Sequence, residues 1–220
     1  KNLGVLTLSE VISKSSQVGI AKIAVELDTP QIRENLWSFG IARGWDIDWP
    51  SINFGHILDR PKFYDIDKAS IGYGYLINAN LLQIARAYSV FGNDGYRIEP
   101  RLTFDHKSEI EKVLEKDNAD FILNALRETV TDGTAKNLKN SSVSIAGKTG
   151  TAEKYIVGEG YANDRYVSSF AGIFPYEQPQ FVMVITIDEP DPNNYYGGQV
   201  SAPIVQRMSE FMNSNNFISE

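Results

Sequence analysis

Two apolar strand patterns near the C-terminus, separated by a short turn, constrain the fold most strongly. Residues 167–174 and 181–187 both have the composition of β-strands, and Pro175-Tyr176-Glu177-Gln178-Pro179 lies between them. A connection this short joins antiparallel strands, because parallel neighbours need a crossover of a dozen residues or more. Residues 181–187 are almost all apolar, which is typical of a strand buried on both faces. The sequence therefore predicts an antiparallel sheet in this part of the chain.

Helical patterns occupy most of the chain before these strands. Thr7 and Glu10 have the spacing of a capping box, which predicts a short helix after Thr7. A second helix is expected to follow the serine pair Ser15-Ser16, and the simplest interpretation of these serines is a cap for that helix. Pro30 marks the first turn of a third helix. Further helices are predicted from an apolar stripe of Leu81, Ile84, Ala85, Tyr88 and Phe91, from residues 117–132, and from about residue 202 to 212.

Three segments between these helices have no periodic pattern. Residues 41–67 are expected to form a long irregular surface loop, residues 70–75 a glycine-rich turn, and residues 107–116 a charged connector exposed to solvent. Residues 1–135 are thus expected to be mainly helical, and residues 136–220 to contain three strands and a closing helix. The predicted fold class is α/β of the α+β type, in which helices flank an antiparallel sheet.

Composition argues against several kinds of function. The formal net charge is −7 and no run of basic residues occurs, so nucleic acid is not an expected partner. The chain has no cysteine and only two histidines, His56 and His106, both expected on the surface. A metal site and a Ser-His-Asp triad are therefore not expected, and no cofactor is predicted. The longest apolar run, residues 181–187, is far shorter than the ~20 residues that span a bilayer.

One stretch combines groups that bind an anion: Lys148-Thr149-Gly150-Thr151, called the Lys-Thr-Gly segment below. The lysine supplies a positive charge, the threonine hydroxyls can donate hydrogen bonds, and glycine allows a ligand to lie close to the backbone. On a strand, Lys148 and Gly150 would face one side of the sheet and the two threonines the other, unless a bulge intervenes. The alternative is an ordinary edge strand whose lysine is solvated, and this stretch alone leaves both interpretations open.

Four segments, taken together, resemble one known family. Ser15-Ser16-Gln17 is similar to its Ser-x-Asn motif, residues 72–74 and 82–88 to its glycine-rich turn and core helix, residues 148–152 to its Lys-Thr-Gly strand, and residues 195–203 to the approach to its last helix. The chain resembles the penicillin-binding transpeptidases, whose fold the serine β-lactamases share, and most of all the class B, division-type peptidoglycan D,D-transpeptidases. This resemblance covers nearly the whole sequence. Residues 1–220 are therefore expected to form the C-terminal part of a single transpeptidase domain, incomplete at its N-terminus.

The resemblance implies an acyl transfer with a serine nucleophile. In the family, a serine of a Ser-x-x-Lys motif attacks the D-Ala-D-Ala carbonyl of a peptidoglycan stem peptide, and β-lactams are trapped at the acyl stage. By position, the expected catalytic residues are Ser15 as a proton relay, Lys148, and Thr151, whose backbone N–H would donate to the oxyanion. The expected substrate-binding residues are Ser16, Gln17, Lys148, Thr149, Gly150 and Thr151, of which Lys148, Thr149 and Thr151 would hold a carboxylate.

Two features depart from the family pattern. No serine in the chain is followed by lysine three residues later, and Thr151-Ala152-Glu153-Lys154, a threonine with that spacing, is interpreted as coincidence. The nucleophile is therefore expected upstream of Lys1, which would leave the isolated chain inactive and one edge of its sheet open. Gln17 stands where the family has asparagine. The extra methylene displaces the amide, and a positioning error near 1 Å can lower a rate about 100-fold.

The resemblance also implies ligands, partners and a location. Peptidoglycan stem peptides and β-lactams are the expected ligands, with membrane proteins of the division complex as further partners. The expected location is the periplasmic, extracytoplasmic face of the inner membrane, with an anchoring N-terminal segment outside the chain. An alternative function is a non-catalytic, transpeptidase-like module that binds peptidoglycan, β-lactams or division partners. A serine β-lactamase is less favoured, because no candidate deacylating glutamate lies in a matching motif.

Overall fold

The computed structural model describes residues 3–219 except 48, 50, 106 and 157. The chain divides into two compact units, Lys1–Asp120 and Phe121–Glu220. Among the described residues, no helix has both the length and the apolar composition needed to cross a bilayer. His56 is exposed, as predicted, whereas His106 lies outside the described residues.

The first unit is mainly helical, and two short antiparallel strand pairs accompany its helices. Four of its five helices were predicted, and their starts explain why. Thr7 and Glu10 form the expected capping box. Asp28 and Gln31 form a second capping box, on either side of Pro30, and Asn80 caps the helix that begins at Leu81. The helices are α1 (Leu8–Ser13), α2 (Gln17–Glu26), α3 (Thr29–Ser38), α4 (Asp65–Gly72) and α5 (Leu81–Ser89), and the strand pairs are β1 (His56–Ile57) with β2 (Ile77–Asn78) and β3 (Tyr96–Ile98) with β4 (Ile110–Lys112).

In the first unit, α4 is the helix that the sequence pattern did not reveal. The expectations of an irregular loop up to residue 67 and of a turn over residues 70–75 were wrong where α4 replaces them. The helix has few apolar residues, but Ile71 packs with the buried Phe63 and Ile32 in a small core. Gly72 lies against Ala24 of α2, where an added Cβ would come within 2.8 Å of the alanine Cβ. Tertiary packing, and not periodicity, therefore fixes α4.

The buried face of α5 is polar, which the predicted apolar stripe did not anticipate. Leu81, a member of that stripe, is 48% exposed, whereas Gln83 and Arg86 are wholly buried. The Arg86 guanidinium pairs with Glu99, donates to the carbonyl of Gly40, and lies 4.0 Å from the centre of the Trp45 ring. A buried charge is tolerated only when it is paired and hydrogen-bonded, and these partners come from outside the helix.

Residues 107–116 are largely exposed, as expected, but the expectation of a connector was wrong where strand β4 lies within this segment. Arg97 of β3 donates to Glu111 of β4 over 2.6 Å, and the same arginine pairs with Glu99. Arg43, from the loop after α3, joins Glu111 over 3.0 Å. The residues of β4 face water, and the strand forms because β4 pairs with β3 and Glu111 joins Arg97 across the hairpin, which hydrophobic periodicity does not reveal.

The second unit contains the predicted sheet, and the predicted fold class is confirmed. Helix α6 (Lys116–Thr131) continues into this unit from the first, and a short 3-10 turn (Lys136–Leu138) follows it. Three antiparallel strands then pair in the order β5-β6-β7, and two helices close the chain. Their bounds are β5 (Ala146–Ile156), β6 (Gly160–Phe174), β7 (Phe181–Asp188), α7 (Gly197–Val200) and α8 (Ala202–Ser214).

The core of the second unit lies on one face of this sheet. The expectation that β7 is buried on both faces was wrong, because its residues are only half-buried and then alternate with exposed ones. Phe181, Met183 and Ile185, which share a face of β7, pack against a buried cluster from α6, β6, α8 and the segment between α6 and β5. The cluster consists of Val130, Ala135, Leu138, Val143, Ile145, Phe170, Phe174, Ala202 and Val205.

Candidate active site

The Lys-Thr-Gly segment lies near the start of β5, where the strand leaves the core. Ala146 and Gly147 are buried, and the next three residues are half-buried. The pairing with β6 is regular here, with Lys148 opposite Ala171 and Thr151 opposite Ser168, and the register shifts only later, between Glu153 and Tyr155. No bulge therefore interrupts the alternation, and the predicted division of the segment between the two faces of the sheet is confirmed.

The two threonine hydroxyls of the segment are already oriented by protein groups. Thr149 Oγ1 lies 2.7 Å from Thr134 Oγ1, and Thr151 Oγ1 accepts the backbone N–H of Gly197 over 3.1 Å. Because the Thr151 oxygen accepts this hydrogen bond, its own proton is directed elsewhere and can be donated to an anion. Thr151 is exposed, so a ligand can reach it.

Glycines allow the start of α7 to contact β5 through the backbone. A Cβ on Gly197 would overlap the carbonyl oxygens of Gly150 and Ser169, and a Cβ on Gly198 would overlap the carbonyl oxygen of Thr134. Asn137 Nδ2 also donates to the Gly198 carbonyl over 2.8 Å. The N–H of Gly197 can reach Thr151 only because no side chain separates the two backbones.

The chain leading into α7 is tied to β6 at several points. Ser168 donates through its hydroxyl to the carbonyl of Tyr195, and Ser201 Oγ donates to the carbonyl of Ser168 over 3.0 Å. The Tyr195 ring stacks on that of Tyr166 with centroids 3.7 Å apart, and Tyr196 lies 4.5 Å from Tyr195. These contacts hold α7 in place beside the Lys-Thr-Gly segment.

Lys148 places a titratable cation on this strand. Its Nζ donates to the Thr149 carbonyl over 2.9 Å, and burial lowers the pKa of the ammonium to about 8. The lowered pKa means that the folded chain binds fewer protons than the unfolded one between about pH 8 and 10.5, so this group makes the fold more stable as pH rises through that window. At neutral pH the Lys148 ammonium is charged, and this buried charge lowers the stability of the fold. Such a cost is typical of functional sites.

The affinity of this site for a carboxylate is expected to depend on pH through Lys148. Below pH about 8 the ammonium is charged and affinity should be constant, whereas above that pH it should fall by up to tenfold per unit as the charge is lost. Binding of a non-covalent D-Ala-D-Ala peptide, measured by calorimetry from pH 6 to about 10, tests this. Lys148→Arg keeps its charge throughout this range. If the affinity of the Lys148→Arg variant declined in the same way above pH about 8, a group other than Lys148 would be responsible for the pH dependence.

On the first unit, the candidate Ser-x-Asn residues lie at the corner between α1 and α2. Ser15 is exposed and has a positive φ of 53°, which is uncommon for a residue with a side chain. Ser16 accepts the N–H of Gly19 over 3.1 Å, so the interpretation of this serine as the cap of α2 is confirmed. Gln17 is the exposed first residue of α2. The roles of these three residues in catalysis and substrate binding stay predictions.

The structure therefore places the predicted site residues in two groups, one in each unit. Lys148, Thr149, Gly150 and Thr151 share β5, and Ser15, Ser16 and Gln17 share the α1–α2 corner. The sequence reasoning missed Thr134, which follows Gly133 after α6 and belongs to no motif, and it did not assign a contact to Gly197 or Gly198. The pair of adjacent glycines just before a helix was the available signal for the last two.

Thr134 is expected to matter because it orients the Thr149 hydroxyl. Thr134→Val preserves the shape of the side chain and removes the hydroxyl, and we expect it to weaken the binding of a carboxylate ligand about tenfold, the order of one hydrogen bond. Titration of a D-Ala-D-Ala peptide against both proteins measures the change. Thr131→Val, at the end of α6, is the matched control and should bind as the wild type does. Equal affinity for the Thr134 variant would remove this residue from the site.

Comparisons with known proteins identify the family. The family model described as "Penicillin binding protein transpeptidase domain" matches residues 1–210. The chain is 34% identical over 203 residues to the "Probable peptidoglycan D,D-transpeptidase PbpC" of Pseudomonas aeruginosa, covering 90% of this chain and 35% of that protein. It is 30% identical over 203 residues to the "Peptidoglycan D,D-transpeptidase FtsI" of Escherichia coli, covering 90% of this chain and 34% of that protein.

Solved structures agree with the sequence relatives. The apo transpeptidase domain of penicillin-binding protein 3 from Burkholderia pseudomallei superposes with a TM-score of 0.87 at 28% identity, covering 97% of this chain and 66% of that one. Penicillin-binding protein 3 from Mycobacterium tuberculosis, complexed with aztreonam, gives a TM-score of 0.81 at 26% identity, covering 96% and 52%. The chain spans about a third of the length of the curated relatives that it matches. It belongs to the penicillin-binding protein transpeptidase domain family, and within it to the class B proteins.

Proposed function

We propose that this chain is part of a peptidoglycan D,D-transpeptidase, which cross-links stem peptides through an acyl-serine intermediate. The observation that carries the proposal is the arrangement at the start of β5, where successive residues of one strand supply a lysine ammonium on one face and two oriented threonine hydroxyls on the other. Thr151 accepts from Gly197 and so directs its own proton outward, and Lys148 lies three residues before it. The C-terminal carboxylate of a stem peptide, or the equivalent acidic group of a β-lactam, requires such a site.

The reaction would proceed in two acyl transfers. The hydroxyl of a nucleophilic serine attacks the carbonyl carbon of the D-Ala-D-Ala peptide bond, an ester forms, and the terminal D-alanine leaves as an amine after receiving a proton. The amine of a second stem peptide then attacks the ester and restores the serine hydroxyl. We assign Ser15 to the proton relay and the Thr151 backbone N–H to the oxyanion, an interaction whose loss costs about 3–4 kcal/mol in known enzymes.

The nucleophile itself is proposed to lie in a preceding part of the polypeptide. The support is that no Ser-x-x-Lys motif occurs in the 220 residues and that the chain matches only 35% of its Pseudomonas aeruginosa relative. Since two relatives are named FtsI, we also propose a role in septal synthesis, with division-complex membrane proteins as partners. We propose a periplasmic location at the inner membrane as well, with an anchor outside this chain, and its support is the same relationship.

Covalent labelling by a fluorescent penicillin tests the proposed reaction. The full-length protein should form a stable adduct on a serine of a Ser-x-x-Lys motif, identified by mass spectrometry of the labelled peptide. The 220-residue chain alone should form none. An adduct on the short chain would place the nucleophile within it and contradict the assignment. A full-length protein that binds penicillin but never forms an adduct would favour the alternative, a non-catalytic module, for which Gln17 in place of asparagine is the motivating observation.

A further inference from the structure

The α1–α2 corner, formed by Lys14, Ser15 and Ser16, is fixed by two backbone hydrogen bonds. The N–H of Ser15 donates to the carbonyl of Ile12 over 3.1 Å, and the N–H of Ser16 donates to the carbonyl of Val11 over 2.9 Å. This pair of bonds is the Schellman arrangement, in which the residue after the helix cap takes a left-handed conformation. Ser15 occupies that position, which accounts for its φ of 53°.

A serine at this position is unfavourable for the fold. Glycine is the usual residue because it has no Cβ, and a side chain there costs roughly 1–2 kcal/mol. A residue held in a sparsely populated conformation persists only when the surrounding structure determines it strongly. The conformation fixes the direction in which the Ser15 side chain leaves the backbone. The contacts that determine the position of the corner therefore also determine the position of the Ser15 hydroxyl.

Gly19, in the first turn of α2, lies close against Val11 of α1. A Cβ at this residue would lie 2.7 Å from Val11 Cγ2, 3.0 Å from Val11 Cγ1 and 3.2 Å from Ser16 Oγ. The Gly19 N–H is also the group that Ser16 caps. Glycine in a helix is about 1 kcal/mol less favourable than alanine, so helix propensity does not explain its presence. The close contact with Val11 explains why glycine is present.

We infer that Gly19 is a positioning residue for the Ser15 hydroxyl. Its missing side chain lets α2 lie directly against Val11, and this contact, together with the Ser16 cap, determines where the corner sits and where Ser15 points. A methyl group at residue 19 would separate the two helices and move the corner between them. The inference rests on the proposed function, in which Ser15 transfers a proton to the leaving nitrogen. A shift of about 1 Å in such a group can lower a rate about 100-fold.

A steric rescue tests this inference in the full-length protein. Gly19→Ala should lower the acylation rate constant at saturating β-lactam by roughly 10- to 100-fold. Val11→Ala removes both methyl groups that the new Cβ would meet, so the double variant Val11→Ala/Gly19→Ala should recover to within about threefold of the wild type. The affinity for a non-covalent D-Ala-D-Ala peptide, which depends on β5, should be the same in all of these proteins.

Gly72→Ala is the matched control for a purely structural effect. Gly72 also contacts α2 tightly, since an added Cβ would lie 2.8 Å from Ala24 Cβ and 3.4 Å from the Ile20 carbonyl oxygen, but its tighter contact is with Ala24, in the second half of that helix. This variant should lower the unfolding temperature as Gly19→Ala does, while its acylation rate constant stays within about threefold of the wild type. Equal losses of rate in the two variants would reduce Gly19 to a structural residue and overturn the inference.

The outcomes separate this inference from the proposed function. Acylation of Gly19→Ala at the wild-type rate overturns the inference alone, as does a folded double variant that stays slow. If Gly19→Ala does not fold, the double variant decides the question. A folded double variant that is acylated near the wild-type rate supports the steric account, and a folded double variant that is acylated slowly contradicts that account. Absence of acylation in the wild-type full-length protein overturns the proposed function, and the inference with it.

Discussion

Replacing Lys148 with alanine in the full-length protein is expected to slow acylation by a β-lactam at least about 100-fold. The substitution removes both the cation that binds the carboxylate and a group that can exchange a proton with the site, and positioned proton transfer alone contributes about 10²–10⁴-fold. Stopped-flow acylation at saturating drug measures the change. Because burial already lowers the pKa of Lys148 to about 8, the unfolding temperature at pH 7 should stay the same or rise.

Lys154→Ala is the control for this experiment. Lys154 belongs to the same strand, but it pairs with Asp188 and Glu189 over 2.8 Å at the surface, and such exposed pairs contribute little. Its variant should be acylated within about threefold of the wild-type rate. If Lys148→Ala were acylated as fast as Lys154→Ala, Lys148 would have no part in the site.

The largest expected effect on stability comes from Gly40→Ala. Gly40 ends α3 with a φ of 89°, a conformation that costs about 1–2 kcal/mol for a residue with a side chain. A Cβ there would also overlap the buried guanidinium of Arg86, which would have to leave Glu99 and the Gly40 carbonyl. Separating the two charges of a buried ion pair lowers the free energy of unfolding by several kcal/mol. We expect a loss of at least ~3 kcal/mol, which corresponds to a fall in unfolding temperature of about 6–12 °C.

Gly44→Ala provides the comparison, since it adds the same methyl group to the same loop. At Gly44 a Cβ would meet only ring atoms of Phe54, at 3.3 Å, and the backbone has no positive φ. Its unfolding temperature, measured by calorimetry, should change by less than about 4 °C. Similar shifts for the two variants would mean that Arg86 and its partners do not stabilise this unit as their burial suggests.

Much of the local structure could be predicted because the signals lie within a few residues. The capping box of Thr7 and Glu10 is complete in the structure, and the Lys-Thr-Gly segment lies on one regular strand, where the period of two puts Lys148 on the opposite face from Thr149 and Thr151. The antiparallel sheet followed from the short turn at residues 175–179, which allows no crossover. These features depend on neighbours in sequence.

The features that were missed depend on contacts between distant residues. Arg86 is buried because Glu99, Gly40 and Trp45 surround it, and none of these lies within its own helix. Strand β4 is exposed and charged, so its sequence predicts a solvated connector, whereas its pairing with β3 and the Arg97–Glu111 contact make it a strand. Thr134 reaches Thr149 across 15 residues with no motif of its own. A pattern of hydrophobic residues carries no information about such pairs.

The most direct test of the account is a crystal structure of the full-length protein acylated by a β-lactam. The account predicts that the acidic group of the drug lies about 3 Å from the hydroxyls of Thr149 and Thr151. An acidic group bound elsewhere, more than about 5 Å from both hydroxyls, would contradict the assignment of the Lys-Thr-Gly segment as the carboxylate site of this transpeptidase.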